Sequence, residues 1–328
     1  MRVAVTGASG FVGGAVCRAL VEHGIDTRAY GRRAAVDPGH VAGAPYRSWD
    51  LTRGTLRDAP VVDAVVHCAG SVTDWGPVPE FFSTNLTGTR NALATFPGAR
   101  FVHVSTASVY DPHRPTVMAK EDEAPAARHL NAYGASKAAA ERAVLAVMRG
   151  HGRTRWRGPG RREALILRPH AVYGPGDTTL LPRVLSSVRG PVLLAVGNGR
   201  QRVSLTSIGN LVQGCLLAAC GPVGSGVFNI TDAEPVTLDG ALRAVLSERG
   251  VRARPVYLPA RPVRGLAAAA EGAFLLARRP EPPRLTRYAV GHLAVERTLD
   301  ITAARTILGY KPEETDFTGA ATWLPPVR

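Results

Sequence analysis

Tyr133 and Lys137 stand four residues apart in the run Tyr133-Gly134-Ala135-Ser136-Lys137. On a helix that spacing puts both side chains on one face. A phenol, with an ordinary pKa of about 10, is a poor base at neutral pH. A neighbouring ammonium favours the phenolate and lowers that value. Such a pair can give or take a proton at a carbinol oxygen while hydride moves to or from a nicotinamide. The spacing recurs by chance, so its surroundings decide. Upstream, residues 102–110 read VHVSTASVY at the end of an apolar run, where a hydroxyl can hold a substrate oxygen beside the phenol.

A second constellation opens the chain. Gly7, Gly10 and Gly13 stand in TGASGFVG, directly after the apolar run 2–6 and directly before a helical pattern reaching about residue 23. The first glycine permits a tight turn, the second lets backbone approach a pyrophosphate, and the third lets helix pack closely on strand. The helix start, with Phe11 and Val12 beside Gly13, offers unpaired amides to phosphates. The next strand, 26–30, ends in Tyr30-Gly31-Arg32-Arg33. NAD sites usually carry an acidic residue there, whereas a guanidinium can pair with a 2′-phosphate. NADP(H) is therefore expected over NAD(H), the alternative being that Arg32 and Arg33 belong to a general excess of arginine.

Further apolar runs at 62–68, 100–106, 164–168 and 226–230 alternate with helical patterns near 79–96, 131–149 and 208–220. This alternation predicts an α/β fold, a doubly wound parallel (Rossmann) sheet with helices on both faces. After about residue 232 Pro and Arg become dense and strands are hard to find, which reads as a smaller cap. The expected division is a dinucleotide-binding domain of residues 1–171 and 203–231, with a discontinuous substrate-binding cap of 172–202 and 232–328. Residues 149–162, RGHGRTRWRGPGRR, read as a surface insertion or a partner-binding loop.

Composition fits an ordinary soluble protein, with 45% hydrophobic and 20% charged residues. The formal charge is +14, yet only Lys120, Lys137 and Lys311 among 40 basic residues are lysines. Arginine is scattered and interleaves with no aromatic stripe, so a nucleic-acid partner is not expected. Cys17, Cys68, Cys215 and Cys220 form no CxxC pair, which suits buried thiols in a reduced cytoplasmic setting. The first strand begins at residue 2, leaving no room for a signal peptide, and no apolar run is long enough to span a bilayer. No metal site is expected.

With LRPHAVYGPGD at residues 167–177 added to these motifs, the chain resembles the extended short-chain dehydrogenase/reductases, also called the NAD-dependent epimerase/dehydratase family, over nearly its full length. The resemblance implies Tyr133 as catalytic acid/base, Lys137 as the group that lowers its pKa and holds the nicotinamide ribose, and Thr106 as third catalytic member, with Ser105 the nearby alternative and a substrate contact. It implies adenine beside Asp50 and Leu51, cofactor-lining backbone at Cys68-Ala69-Gly70, Asn85 near the nicotinamide, and Pro169 and His170 at its carboxamide. Tyr173 is expected at the substrate. Trp75 either lines the same pocket or is a packing tryptophan.

Within the family, the runs VGNGRQRVSLTSIGNLV, FNITDAEPVTL and PPRLTRYAVGHLAVERTLDITAARTILGYKP are most similar to the 3β-hydroxysteroid dehydrogenase-like branch. That branch implies interconversion of a ketone and a secondary alcohol on a mostly apolar small molecule: an acyl or polyketide-like chain, a sterol or a terpenoid. Residues 263–277, with Leu266, Phe274, Leu275 and Leu276, are expected to close an apolar pocket, an interfacial membrane helix being the alternative. Ala107 and Ser108 follow Thr106 where a dehydratase would carry an acidic pair. A sugar-nucleotide epimerase, a non-catalytic dinucleotide sensor and a homodimeric assembly stay open.

Overall fold

The run Arg-Val-Ala-Val-Thr, β-branched and apolar, forms β1 (Arg2–Thr6) at the centre of the molecule. Alternate residues of one strand point to opposite faces. Val3 and Val5 accordingly join a core with Val16, Cys17, Leu20, Leu211 and Cys215, whereas Ala4 joins the opposite core with Trp49, Leu93, Phe101 and Val144. The computed structural model describes residues 1–112, 114–149, 163–277, 279, 281, 283 and 286–323. Residues 150–162 of the basic stretch lie outside the described residues.

In chain order β1 is followed by α1 (Phe11–Glu22), β2 (Asp26–Gly31), β3 (Tyr46–Ser48), β4 (Ala64–His67), α2 (Val78–Phe82), α3 (Gly88–Thr95) and β5 (Arg100–Val104). Then come β6 (Thr116–Ala119), α4 (Ala132–Met148), β7 (Ala164–Pro169), β8 (Val172–Tyr173), α5 (Leu180–Leu185), β9 (Val188–Arg189), β10 (Val192–Val196), β11 (Arg202–Val203) and β12 (Thr206–Ser207). The last part holds α6 (Ile208–Cys220), β13 (Gly226–Ile230), β14 (Val236–Thr237), α7 (Leu238–Glu248), β15 (Arg254–Leu258), α8 (Ala260–Leu276), α9 (Arg287–Leu293), β16 (Arg297–Leu299) and α10 (Ala320–Trp323).

Among the described residues the main sheet has seven strands in the order β13-β7-β5-β4-β1-β2-β3, every neighbour parallel. The chain winds outward from β1 through β2 to β3, then crosses back to β4 and winds the other way. That reversal is the topological switch point, where ligands sit beyond the carboxyl ends of the strands. Thr6, His67 and Val104 end the three strands that flank it.

Three differences from the sequence reading have physical causes. The helix expected over 79–96 is interrupted by a π-turn at Ser83–Thr87. Strands do occur after residue 232, but they are short and find partners far away in sequence: β15 pairs β10, β14 pairs β11, and β16 pairs both β11 and β6. Residues 301–310 also depart from the expected division. Ile301, Ala304, Leu308 and Tyr310 pack into the Rossmann core, and the Tyr310 phenol donates to Thr231 O at 2.9 Å. Among the described residues no helix is long and apolar enough to cross a membrane.

Two imidazoles face each other inside the sheet. His67 on β4 and His103 on β5 are register partners, fully buried and stacked 5.4 Å apart. His67 bonds Thr6 Oγ1 at 2.7 Å and Thr89 Oγ1 at 2.9 Å, while neither ring nitrogen of His103 finds a partner. Burial, with Lys137 nearby, holds both below their ordinary range, His67 down to about 3. Both rings stay neutral in the fold but take up protons on unfolding once the pH drops below about 6.5. Their stabilising effect is thus full above that value and is lost as pH falls toward the folded values, by up to about 1.4 kcal/mol per pH unit per ring. Urea unfolding between pH 7 and pH 5 should show the decline, and His103→Phe should make it shallower; an unchanged slope would contradict this account.

Candidate active site

The glycine turn is set by close backbone approach. Gly7 has φ of +73°, and a Cβ placed there would lie 2.6 Å from Ala69 N, in the segment leaving β4. A Cβ on Gly13 would collide with the Gly7 carbonyl. At Gly10 an added Cβ meets only Gly7 O, at 3.3 Å. Gly10 caps α1 without any side-chain acceptor, so the first-turn amides around Phe11, Val12 and Gly13 receive none from it. Amides at a helix start with no side-chain cap suit a pyrophosphate, so the residues present fit a dinucleotide.

At the far end of that cradle, Arg32 and Arg33 follow β2 and are exposed. The Thr52 hydroxyl and amide, with Arg53 and Arg32 beside them, hold the Asp50 carboxyl below the usual range. Asp50 thereby caps a short turn rather than reaching outward. Leu51 is buried, and its carbonyl accepts from Asn91 Nδ2 at 2.7 Å.

On the opposite side, Asn85 sits in the π-turn, buried. Its Oδ1 accepts from Ser71 N at 2.8 Å and its Nδ2 donates to Ser136 Oγ at 2.9 Å. A π-turn inserted in a helix often marks a functional position, and here it joins the segment Cys68-Ala69-Gly70 to α4. A Cβ on Gly70 would lie 3.1 Å from Asn85 Oδ1 and 3.9 Å from Lys137 Nζ. Pro169 ends β7, and His170 after it is bound through Nδ1 to Ser204 O at 2.6 Å and through its amide to Thr206 Oγ1 at 3.0 Å. Burial takes the His170 imidazole down to about 4.

Helix α4 starts at the cap Asn131, whose Oδ1 accepts from Gly134 N at 3.0 Å. Tyr133 and Lys137 follow on its buried face. Burial raises the Tyr133 phenol, and the Thr106 hydroxyl opposes that rise. The downward pull expected from Lys137 is not seen. Its Nζ instead donates to Val104 O at 2.7 Å, and burial brings the ammonium down to about 8. Thr106, just past β5, accepts from Ser108 N at 3.1 Å and lies 3.2 Å from Ser108 Oγ.

Two of the residues expected at the substrate are committed elsewhere. Ser105 Oγ donates to the buried Glu141 Oε1 at 2.5 Å, so its hydroxyl is spent on the protein interior. Tyr173 is buried, its ring 4.8 Å from that of Phe317 and its phenol donating to Asp232 Oδ2 at 2.9 Å; it belongs to the junction between sheet and cap. Trp75 Nε1 donates to Arg279 O at 3.4 Å, tying the loop after β4 to the segment after α8. Helix α8 buries Val263, Ala267 and Glu271 and leaves Leu266, Leu275 and Leu276 exposed, so those leucines do not close a pocket.

Several site residues escaped the sequence reading. Tyr288 on α9 brings a second phenol, its ring 6.3 Å from Tyr133 at 81° and its Oη 2.7 Å from Ser108 Oγ. Asp74 Oδ2 accepts from Arg183 Nη2 at 2.7 Å and Thr286 Oγ1 at 2.6 Å. Glu141, one turn beyond Lys137, pairs with Arg168 of β7 through Nε at 3.0 Å and Nη2 at 2.8 Å. Arg168 also donates to Glu121 O, Ala124 O and the Tyr110 phenol. An acidic residue on the buried stripe of a helix was the available signal for Glu141, because a buried carboxylate needs a cation.

A glycine cradle at the switch point, faced by a buried Tyr-x3-Lys helix, defines a dinucleotide-binding protein of the extended short-chain dehydrogenase/reductase type. The chain belongs to the NAD dependent epimerase/dehydratase family, whose model matches residues 3–231. It is 32% identical to the 4-hydroxy-2-methyl-3-oxo-4-farnesyl-3,4-dihydroquinoline-1-oxide ketoreductase of Stigmatella aurantiaca, over 94% of this chain and 92% of that protein. It is 31% identical to the 2-alkyl-3-oxoalkanoate reductase of Stenotrophomonas maltophilia, over 95% of each. The UDP-glucose 4-epimerase of Thermotoga maritima, solved with UDP-glucose, shares the fold with a TM-score of 0.72 at 20% identity, over 98% of this chain and 97% of that one.

Removing one partner of a fully buried ion pair strands the other, at a cost of about 3–5 kcal/mol. Glu141→Gln should therefore lower unfolding stability by an amount of that order, read from denaturant midpoints. A loss below about 1 kcal/mol would show that the Arg168 charge is compensated without Glu141.

Proposed function

We propose that the chain is an NADP(H)-dependent oxidoreductase that interconverts a ketone and a secondary alcohol on a mostly apolar small molecule, of the acyl, polyketide-like, sterol or terpenoid kind. The observation that carries this reading is the buried Tyr133 phenol, its rise opposed by the Thr106 hydroxyl beyond the end of β5, on the helix whose Lys137 faces the Gly70 and Asn85 side of the glycine cradle. The similarity to two reductases named for 3-oxo compounds supports it.

The amides at the start of α1 would hold the pyrophosphate, Arg32 and Arg33 the 2′-phosphate, and Lys137 with Asn85 the nicotinamide side. When bound, the dinucleotide supplies or accepts the hydride. Tyr133, kept protonated by burial, gives its proton to the substrate oxygen in reduction and takes it back in oxidation. The Thr106 hydroxyl orients the phenol and shares in holding that oxygen. Lys137, a cation in a dry site, favours the phenolate once its ammonium turns from Val104 O toward the bound ribose. The preference for NADP(H) rests on the two exposed guanidiniums after β2, together with an Asp50 carboxyl engaged by Thr52.

Tyr133→Phe should keep cofactor affinity and lower kcat by about 10²- to 10⁴-fold, the range for loss of a positioned acid/base. Full activity in that variant would remove the central assignment. A panel of hydrophobic ketones and nucleotide sugars discriminates substrate classes: turnover of UDP-sugars without ketone reduction would establish the epimerase reading instead.

Arg32→Ala should weaken NADPH binding by about 1–3 kcal/mol and leave NADH nearly unchanged. Calorimetric titration with both cofactors is the measurement, and equal affinities in the unmodified protein would count against NADP selectivity.

A further inference from the structure

Tyr288 is the residue of α9 that reaches the catalytic hydroxyls. Its Oη lies 2.7 Å from Ser108 Oγ, which lies 3.2 Å from Thr106 Oγ1, the hydroxyl that opposes the rise of the Tyr133 phenol; the Tyr288 and Tyr133 rings are 6.3 Å apart. Four hydroxyls thus lie in series, with a phenol toward each end. The far phenol is held from two sides. Thr286 caps α9 by accepting from Ala289 N at 3.1 Å and donates to Asp74 Oδ2, which also takes the Arg183 guanidinium. One residue on, Arg287 donates through both its amide and Nε to the buried Glu271 on α8, each at 2.6 Å.

We propose that Tyr288 is a positioning residue for the reaction: acting through Ser108 and Thr106, it sets the direction in which the hydroxyl chain donates and so stabilises the Tyr133 phenolate. The proposal rests on the reading of Tyr133 as the acid/base.

Each hydroxyl carries one proton, so the chain has two polarities. Donation can run from Tyr133 toward Tyr288, which suits a protonated Tyr133. It can also run from Tyr288 through Ser108 to Thr106, which then points its proton at the Tyr133 oxygen and suits a phenolate. Loss of the Tyr133 proton to substrate switches the first polarity to the second by rotation of three O–H bonds. No further proton enters or leaves. The second polarity requires a terminal donor that stays protonated, and Tyr288 is one, because burial and the nearby Tyr133 raise its phenol. Hydroxyls donating in series also polarise one another, which strengthens the bond at the end of the chain. Among the described residues, the charged and titratable groups around the two phenols include Lys137 and Glu141 on α4, His129 before it, Asp74 after β4, Arg183 on α5 and Arg297 on β16.

The test needs no substrate. Ultraviolet titration of tyrosinate in the full-length protein, compared with Tyr133→Phe, identifies the step that belongs to Tyr133. Tyr288→Phe and Ser108→Ala should each raise that step by about half a unit to one unit, the size of one hydrogen bond. The double variant should raise it no further than either single change, since both cut the same chain. With a ketone substrate in hand, both variants should lower alcohol oxidation about 3- to 10-fold below the step, with the cofactor KM unchanged. A Tyr133 step that stays put in Tyr288→Phe, or a double variant whose shift is the sum of the two singles, overturns the proposal while leaving the reductase reading intact. If Tyr133→Phe removes no step, Tyr133 is not the titrating acid/base and both readings fall together.

Discussion

Arg168 carries a full positive charge on a central strand of the sheet, with its side chain 1% exposed, against a Glu141 carboxylate that is completely buried. Removing two such ions from water costs several kcal/mol each, and only near-complete hydrogen bonding repays it. The structure supplies that bonding from three separate segments: Glu141 on α4, Tyr110 after β5, and the carbonyls of Glu121 and Ala124 ahead of α4. The same carboxylate takes the Ser105 hydroxyl. Because Tyr133, Lys137 and Glu141 repeat every four residues along one face, fixing Glu141 fixes the rotation of the helix about its axis. The phenol and the ammonium then have no choice of direction. Pro169, beside Arg168, and Thr106, beside the Ser105 whose hydroxyl bonds Glu141, inherit their positions from the same cluster.

What could be read from residues alone was what is local. The glycine turn is legible because Gly7, Gly10 and Gly13 recur within seven residues, even though Gly7 is also held by the distant Ala69 backbone, and Tyr133 and Lys137 because helical geometry alone aligns them. The parallel sheet follows from alternation of apolar runs and helical patterns, and the solved relatives share it. Contacts between distant segments were invisible. Ser108 and Tyr288 are 180 residues apart, and nothing about a single tyrosine in a Pro- and Arg-rich stretch announces the partner. The error over Ser105 has the same origin. A hydroxyl at the correct strand end looks available until a carboxylate from α4 is seen to occupy it. The leucines of α8 misled for another reason: hydrophobic residues on a helix were assigned to a pocket without knowing which stripe of the helix faces inward.

Beside its ion pairs, the interior near the site holds several imidazoles and phenols in uncharged forms. His67 and His103 lie beneath it, and His170 borders it, all with imidazoles suppressed by burial. The phenols of Tyr133 and Tyr288 are raised by the same cause. Lys137 is the cation that touches this neutral ground directly, and even its ammonium is weakened. In a low-dielectric setting a single weakly held proton matters more than it would in water.

The return of residues 301–310 to the Rossmann core gives the polypeptide an unusual order of assembly. Val5, Val66 and Leu167 are made early, yet Ile301, Leu308 and Tyr310, which cover part of their face, are made after almost everything else. Domains generally condense as the ribosome releases them. Here the main-sheet core stays unfinished until residues 301–310 have been translated, and its apolar surface waits for that late segment. The cap is for that reason not a detachable cassette. Exchanging it with that of a relative would carry away part of the other half's interior, unless the splice were made upstream of residue 301 and the native tail kept.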